Sequence, residues 1–288
     1  MAIKITTLSE NTALSRGILA EWGLSILVEV DDTTILFDCG QSSSVVRNAS
    51  ALGIDLSKVD GIVLSHGHYD HTGGLRDVLR VMRKEVQIIA HPDIWQSKYV
   101  RRTGEKSHRY IGIPFQREEL EDLGASFHLS RKPVWISEKL VTTGEIEMSS
   151  GPEQVDSGLF IREGKAFVPD PLRDDLAMGI RTDDGLFVLT GCAHRGIVNT
   201  IYTAQKIMDT ENCSTVIGGT HLLHASEKQL AFTIDELKKM KVQKIGVSHC
   251  TGFHAEASFS RKFGKRFFLN NAGTKVKLPW KTILSGPV

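Results

Sequence analysis

Several things are scarce in this 288-residue chain, and each scarcity removes a class of function. Charge of one sign is missing: 35 Lys and Arg stand against 34 Asp and Glu, a net +1. No global field draws in nucleic acid or an anionic membrane surface. Cysteine is sparse, with Cys39, Cys192, Cys213 and Cys250 far apart and no Cys-x-x-Cys pair, so neither a disulfide framework nor a zinc ribbon is expected. Isolated thiols suit a reducing compartment. No apolar run reaches bilayer length, and Met1 to Leu8 lacks the apolar stretch and cleavage site of a signal peptide. The expectation is a cytoplasmic globular protein without a membrane or nucleic-acid partner. With 41% hydrophobic residues, a chain this long buries a core unaided. Histidine is the residue in surplus: there are eleven, and several cluster.

Patterning reads as α/β. Ile26, Val28 and Val30 alternate along a strand from Ser25, Asp31 to Thr34 turns the chain, and Ile35-Leu36-Phe37 runs back to Asp38. A helix is predicted over about 43–52, stopped by Gly53. The buried run Gly61 to Ser65 precedes a polar cluster, and Leu75, Val78, Leu79 and Met82 follow it at helical spacing. Residues 91–150 read as a loop-rich insertion within a single domain, 1–288, because no linker composition flanks them. Beyond it come a hairpin around Thr182 to Gly185, a helix over 197–208, a strand at Thr215 to Ile217, a capping box at Ser226 and Gln229, and a strand over 244–248. Sheets layered between helices fit this order better than a doubly wound sheet.

The decisive stretch is His66-Gly67-His68-Tyr69-Asp70-His71, at the end of a strand and the start of a helix. Four side chains that ligate divalent metals fall within six residues. Strand alternation lets His66 and His68 point the same way, while Asp70 and His71 turn with the chain toward a second ion. Solvated loop histidines do not account for such an array.

These residues, with Leu36-Phe37-Asp38-Cys39-Gly40, Thr190-Gly191-Cys192-Ala193-His194 and Val247-Ser248-His249-Cys250, resemble the metallo-β-lactamase superfamily. The resemblance implies a four-layer αβ/βα sandwich with a one- or two-metal site. It gives His66 and His68 to one metal, Asp70 and His71 to the other, the last ligand role to His249, and to Asp38 the orienting of histidines. The chain departs from the pattern in the middle. No His stands in Pro171 to Asp175, and Cys192 replaces the usual bridging Asp. His194 is the first candidate for the missing imidazole, with Cys192 or Asp175 as an additional or bridging ligand. Zinc, as two ions, is expected ahead of manganese or iron, since diiron relatives carry Glu where His68 stands.

Gly191 to Ile197, Gly218 to Leu222 and His249 to Gly252 are similar to the dihydropterin–ribofuranosylaminobenzene-phosphate synthase group, as are His91-Pro92, Gly112-Ile113-Pro114 and Thr143 to Ile146. Three readings follow. The first is a hydrolase using metal-activated water on an ester, lactone or phosphoester, with Asp70 and His194 as catalytic residues. The second is a synthase-like transferase acting on a phosphorylated substrate. The third is a redox or metal-binding protein without hydrolytic turnover. His221, His224, Arg195 and Thr251 are candidate substrate contacts. Arg101, Arg102, Lys106, His108 and Arg109 can hold an anion or form a solvated basic face. The expected partner is a small molecule, phosphorylated in the second reading, with a second copy of the chain as a candidate homodimer partner.

Overall fold

The computed structural model describes residues 2–13, 15–280 and 283–284. The chain forms two compact units, one of residues 1–129, 156–174 and 271–288, the other of residues 130–155 and 175–270. The 91–150 stretch is thus shared: up to Leu129 it runs with the first unit, and from Ser130 with the second.

The first unit is built on an eight-stranded sheet. Its order is Ile283–Leu284, Lys275–Leu278, Ile3–Ser9, Ser25–Val30, Thr33–Phe37, Gly61–Val63, Val86–Ala90 and Ala125–Leu129. Ser25–Val30 and Thr33–Phe37 pair antiparallel around a turn tighter than the sequence suggested. Thr33 and Thr34 already pair with Val30 and Glu29, leaving only Asp31 and Asp32 to turn. Asp31 adopts a left-handed φ of 50°, which two-residue hairpin loops require. From Thr33–Phe37 onward the neighbours run parallel, so their C-terminal ends share one edge of the sheet. Parallel strands are covered on both faces, and Gly61–Val63 is buried throughout. The helix Leu75–Met82 buries Leu75, Val78, Leu79 and Met82, one i, i+3, i+4, i+7 stripe, into a core with Leu36, Ile62, Ile88 and the Val45 face of the helix Ser44–Ala51. Gly53 ends that second helix with a φ of 71°. A smaller sheet joins Ala166–Pro169, Leu159–Glu163, Lys98–Val100 and Arg109–Tyr110.

The second unit has a seven-stranded sheet: Phe267–Leu269, Lys244–Ser248, Cys213–Gly219, Gly185–Thr190, Ala177–Thr182, Leu140–Thr142 and Val134–Trp135. The strands Gly185–Thr190, Cys213–Gly219 and Lys244–Ser248 are adjacent and parallel, so three chain segments leave the same edge side by side. Helices Ile197–Met208, Glu227–Lys239 and Phe253–Phe263 pack on this sheet through Ile201, Leu230, Ile234 and Phe259. The Ser226 hydroxyl accepts the Gln229 N–H at 3.2 Å, as its spacing predicted. The helix at 197–208 is capped from afar: the buried Glu153 carboxylate accepts the N–H groups of Val198 and Asn199 at 2.9 and 2.8 Å, an anion at the positive helix end. Among the described residues no helix is long and apolar enough to cross a membrane.

Candidate metal centre

In the first unit, the histidine cluster leaves the C-terminal end of the strand Gly61–Val63 and enters the short helix Tyr69–Thr72. His66, His68, Asp70 and His71 are all buried, so their polar atoms need partners within the fold. The neighbouring parallel strand supplies one. Asp38, just past Thr33–Phe37, has a φ of 59°, a left-handed conformation that Asp tolerates better than most side chains. Its Oδ1 accepts the Ser65 N–H at 2.7 Å, and its Oδ2 accepts the Ser65 hydroxyl and the His71 Nδ1–H, each at 2.7 Å. With its own proton given to Asp38, the Ser65 hydroxyl is left to accept from His66 Nδ1 at 2.9 Å. Both ring tautomers are thereby set, and the Nε2 atoms of His66 and His71 carry the lone pairs.

The imidazoles are gathered tightly. His66 Nε2 lies 2.9 Å from His68 Nδ1, and the His66 ring centroid lies 4.2 Å from that of His71. Burial, reinforced by the Lys98 ammonium, pushes the His68 imidazole down to about 3 despite the opposing carboxylates of Asp70 and Asp174. A neutral imidazole is the form that binds metal. This donor set, buried and aimed by a carboxylate, fits a divalent cation.

Gly67, between the two histidines, has no room for a side chain: a Cβ would run into the Ile94 carbonyl and lie 3.2 Å from Lys98 Cε. Gly67→Ala is therefore expected to destabilise the fold by about 1–3 kcal/mol, measured as a lower urea midpoint with an unchanged slope.

The second unit assembles donors by the same device. Cys192 and His194 follow Gly185–Thr190, His221 follows Cys213–Gly219, and His249 and Cys250 follow Lys244–Ser248. Ala193, His221 and His249 all have positive φ, at 56°, 49° and 56°. Such backbone in non-glycine residues costs energy and gathers at functional sites. Ligand atoms of Cys192, His221 and Cys250 lie within 4.8 Å of one another, and the His194 and His221 rings are 4.1 Å apart. The His221 N–H reaches Cys250 Sγ at 3.3 Å. Burial alone would push the Cys250 thiol up, but its hydrogen bonds with Cys192 and His221 and the neighbouring His249 hold it well below the ordinary thiol range. Cysteine sulfur beside imidazoles is a soft donor set suited to zinc.

Other residues singled out in the sequence are placed as follows. Arg195 donates its Nε to the Ile146 carbonyl at 2.8 Å and its N–H to Asp175 Oδ2 at 2.9 Å. Thr251 donates to the Ser248 carbonyl at 2.8 Å and accepts from Thr220 at 3.0 Å. His224 is exposed. Within the basic stretch, Arg102 pairs with Asp156, Arg101 lies 5.2 Å over the Phe160 ring, and His108 stacks on Phe167. Cys250 and Asp174 were not among the candidate site residues. Cys250 could have been found from its place beside His249, but nothing in the sequence marks Asp174.

Comparison with known proteins gives the family. The sequence profile of the metallo-beta-lactamase superfamily matches residues 23–249. The chain belongs to that superfamily. It is an enzyme of this superfamily with a mixed α/β metallo-β-lactamase fold. It is 35% identical, over 96% of both chains, to the 7,8-dihydropterin-6-methyl-4-(beta-D-ribofuranosyl)-aminobenzene-5'-phosphate synthase of Methanocaldococcus jannaschii. An uncharacterized protein of the same organism is 33% identical over 89% of this chain and 94% of its own. Among solved structures, Tm1679, described as a metal-dependent hydrolase of the beta-lactamase superfamily, superposes with a TM-score of 0.80 at 28% identity, covering 95% of this chain and 98% of its own.

Proposed function

We propose that this metallo-β-lactamase enzyme is metal-dependent, that its ligands are His66, His68, Asp70, His71, His194, His249 and Cys192, and that the metal is zinc, as two ions. The observation that carries this reading is the buried His66–His68–His71 cluster, in which Ser65 and Asp38 set the lone pairs of His66 and His71. A divalent ion held there supplies Lewis-acid polarisation of a substrate oxygen and a water of lowered pKa. The protein's own contribution is orientation. Asp38 fixes His71 and, through Ser65, His66, and the Asp70 carboxylate takes the proton of the attacking water. Burial of the cluster keeps competing bulk water away.

The reaction class is hydrolysis of an ester, lactone or phosphoester of a small molecule. Likeness to the metal-dependent hydrolase Tm1679 supports this. A second reading has its own support in the synthase relative matched over 96% of both chains. There the same residues bind a phosphorylated ribosyl arene and promote its joining to a dihydropterin methyl group that carries a leaving group, the new bond forming as the leaving group departs and the arene gives up a proton. One experiment separates the two: zinc-loaded protein is offered a panel of ester, lactone and phosphoester substrates, and separately a dihydropterin whose methyl group carries a leaving group, together with the ribofuranosylaminobenzene phosphate. Release of alcohol or phosphate, or opening of a lactone to its hydroxy acid, with no condensation, is expected for the hydrolase. Condensation without hydrolysis would replace it by the synthase, and inactivity of zinc-loaded protein in both assays would remove both.

A further inference from the structure

A lysine with no exposed surface lies in the first unit. Lys98 donates from Nζ to Asp170 Oδ2 at 2.9 Å and to Asp174 Oδ1 at 2.8 Å. Burying an ion trio costs desolvation that an apolar cluster of the same size avoids, so such a trio is weak evidence of a purely stabilising role. Its outward connection is informative. Asp174 Oδ2 accepts the N–H of Gly67 at 2.8 Å, the peptide between His66 and His68. Asp170 makes no such link; its other oxygen accepts the Leu172 N–H at 2.8 Å. Glycine has the freest backbone of any residue. At Gly67, that freedom sits between two imidazoles whose spacing decides how they converge on an ion.

We propose that Asp174, braced by Lys98, is a positioning residue that pins the Gly67 peptide and so fixes the relative placement of His66 and His68. This rests on the metal reading above. A charged acceptor holds an amide more firmly than a neutral one, and Lys98 fixes the carboxylate so that one oxygen faces Gly67. The trio thus aims the histidine loop from behind the metal-facing atoms, as Asp38 and Ser65 aim the rings themselves.

The two aspartates provide the test, because both pair with Lys98 and only Asp174 touches Gly67. Asp174→Asn leaves a single oxygen for two donors, and the Lys98 cation claims it, so the Gly67 bond is lost. Asp170→Asn disturbs the ion pair and leaves that bond intact. Zinc affinity is measured by competition with a chromogenic chelator, and ligand geometry by the visible absorption of the cobalt-substituted protein. Thermal melting of the metal-free proteins is followed alongside. Asp174→Asn is expected to weaken zinc binding about 10- to 100-fold and to change the cobalt spectrum. Asp170→Asn should melt lower while keeping wild-type affinity and spectrum. Wild-type zinc affinity and cobalt spectrum in Asp174→Asn would overturn the proposal, as would equal losses of affinity in both variants. If Asp174→Asn fails to fold, Lys98→Met, which frees Asp174 from its brace, must show the same loss of affinity or the proposal falls. A wild-type chain that binds no zinc overturns the metal reading itself, a result distinct from all of these.

Discussion

Replacing His68 by alanine is expected to lower turnover by more than about 100-fold while leaving the far-ultraviolet circular dichroism of the protein unchanged. Partners that merely orient metal ligands cost about 10- to 100-fold in affinity or activity when removed, and a ligand itself must cost more. His68 is buried at the turn from Gly61–Val63 into Tyr69–Thr72. Its ring packs edge-on against His66 with centroids 4.5 Å apart. Steady-state assays on zinc-loaded protein, read beside metal content, decide the matter. Loss of metal together with loss of activity is the expected pair. Retained turnover in protein that has lost its metal would rule out both the hydrolase and the synthase chemistry.

The second large effect is expected at Asp38. Its carboxylate serves three donors, the Ser65 N–H, the Ser65 hydroxyl and His71 Nδ1, and all of them are buried. Asp38→Ala strands these groups in the interior and places alanine at a left-handed φ of 59°, where Asn and Asp are better tolerated. A loss of about 3 kcal/mol in unfolding free energy is expected. Asp38→Asn keeps the shape and suits the backbone, but it removes the charge that holds the His71 proton on Nδ1. Its expected signature is a smaller loss of stability with zinc affinity still lowered about 10- to 100-fold. Chemical denaturation of the metal-free variants and zinc competition on the folded ones measure the two effects separately. Wild-type zinc affinity in Asp38→Asn would mean that the ring tautomer is set by something other than this carboxylate.

Much of this was legible in the sequence because it depends on local pattern. Leu75, Val78, Leu79 and Met82 repeat at helical period and are all buried. Ser226 and Gln229 announced a cap that is present, and the strand Lys244–Ser248 and the helix Ile197–Met208 begin and end where the sequence placed them. The histidine array was visible because four ligand side chains fall within six residues. What was hidden depends on pairing between distant segments. Cys192, His221 and Cys250 are brought together because the strands before them are adjacent and parallel, a sheet order that no single stretch encodes. Lys98 stands just before the basic residues Arg101 and Arg102, and nothing local in the sequence sets it apart from them. Only the approach of Asp170 and Asp174, more than 70 residues away, shows that it is internal. The left-handed backbone at Asp38, His221 and His249 likewise left no mark, since glycine, the usual signal, is absent at all three.

Elemental analysis of wild-type protein purified without added metal tests most directly whether the buried histidine cluster holds metal. Zinc bound stoichiometrically, as a pair of ions per chain, is the expected result. A chain that carries no divalent metal, and takes up none on reconstitution, would contradict it.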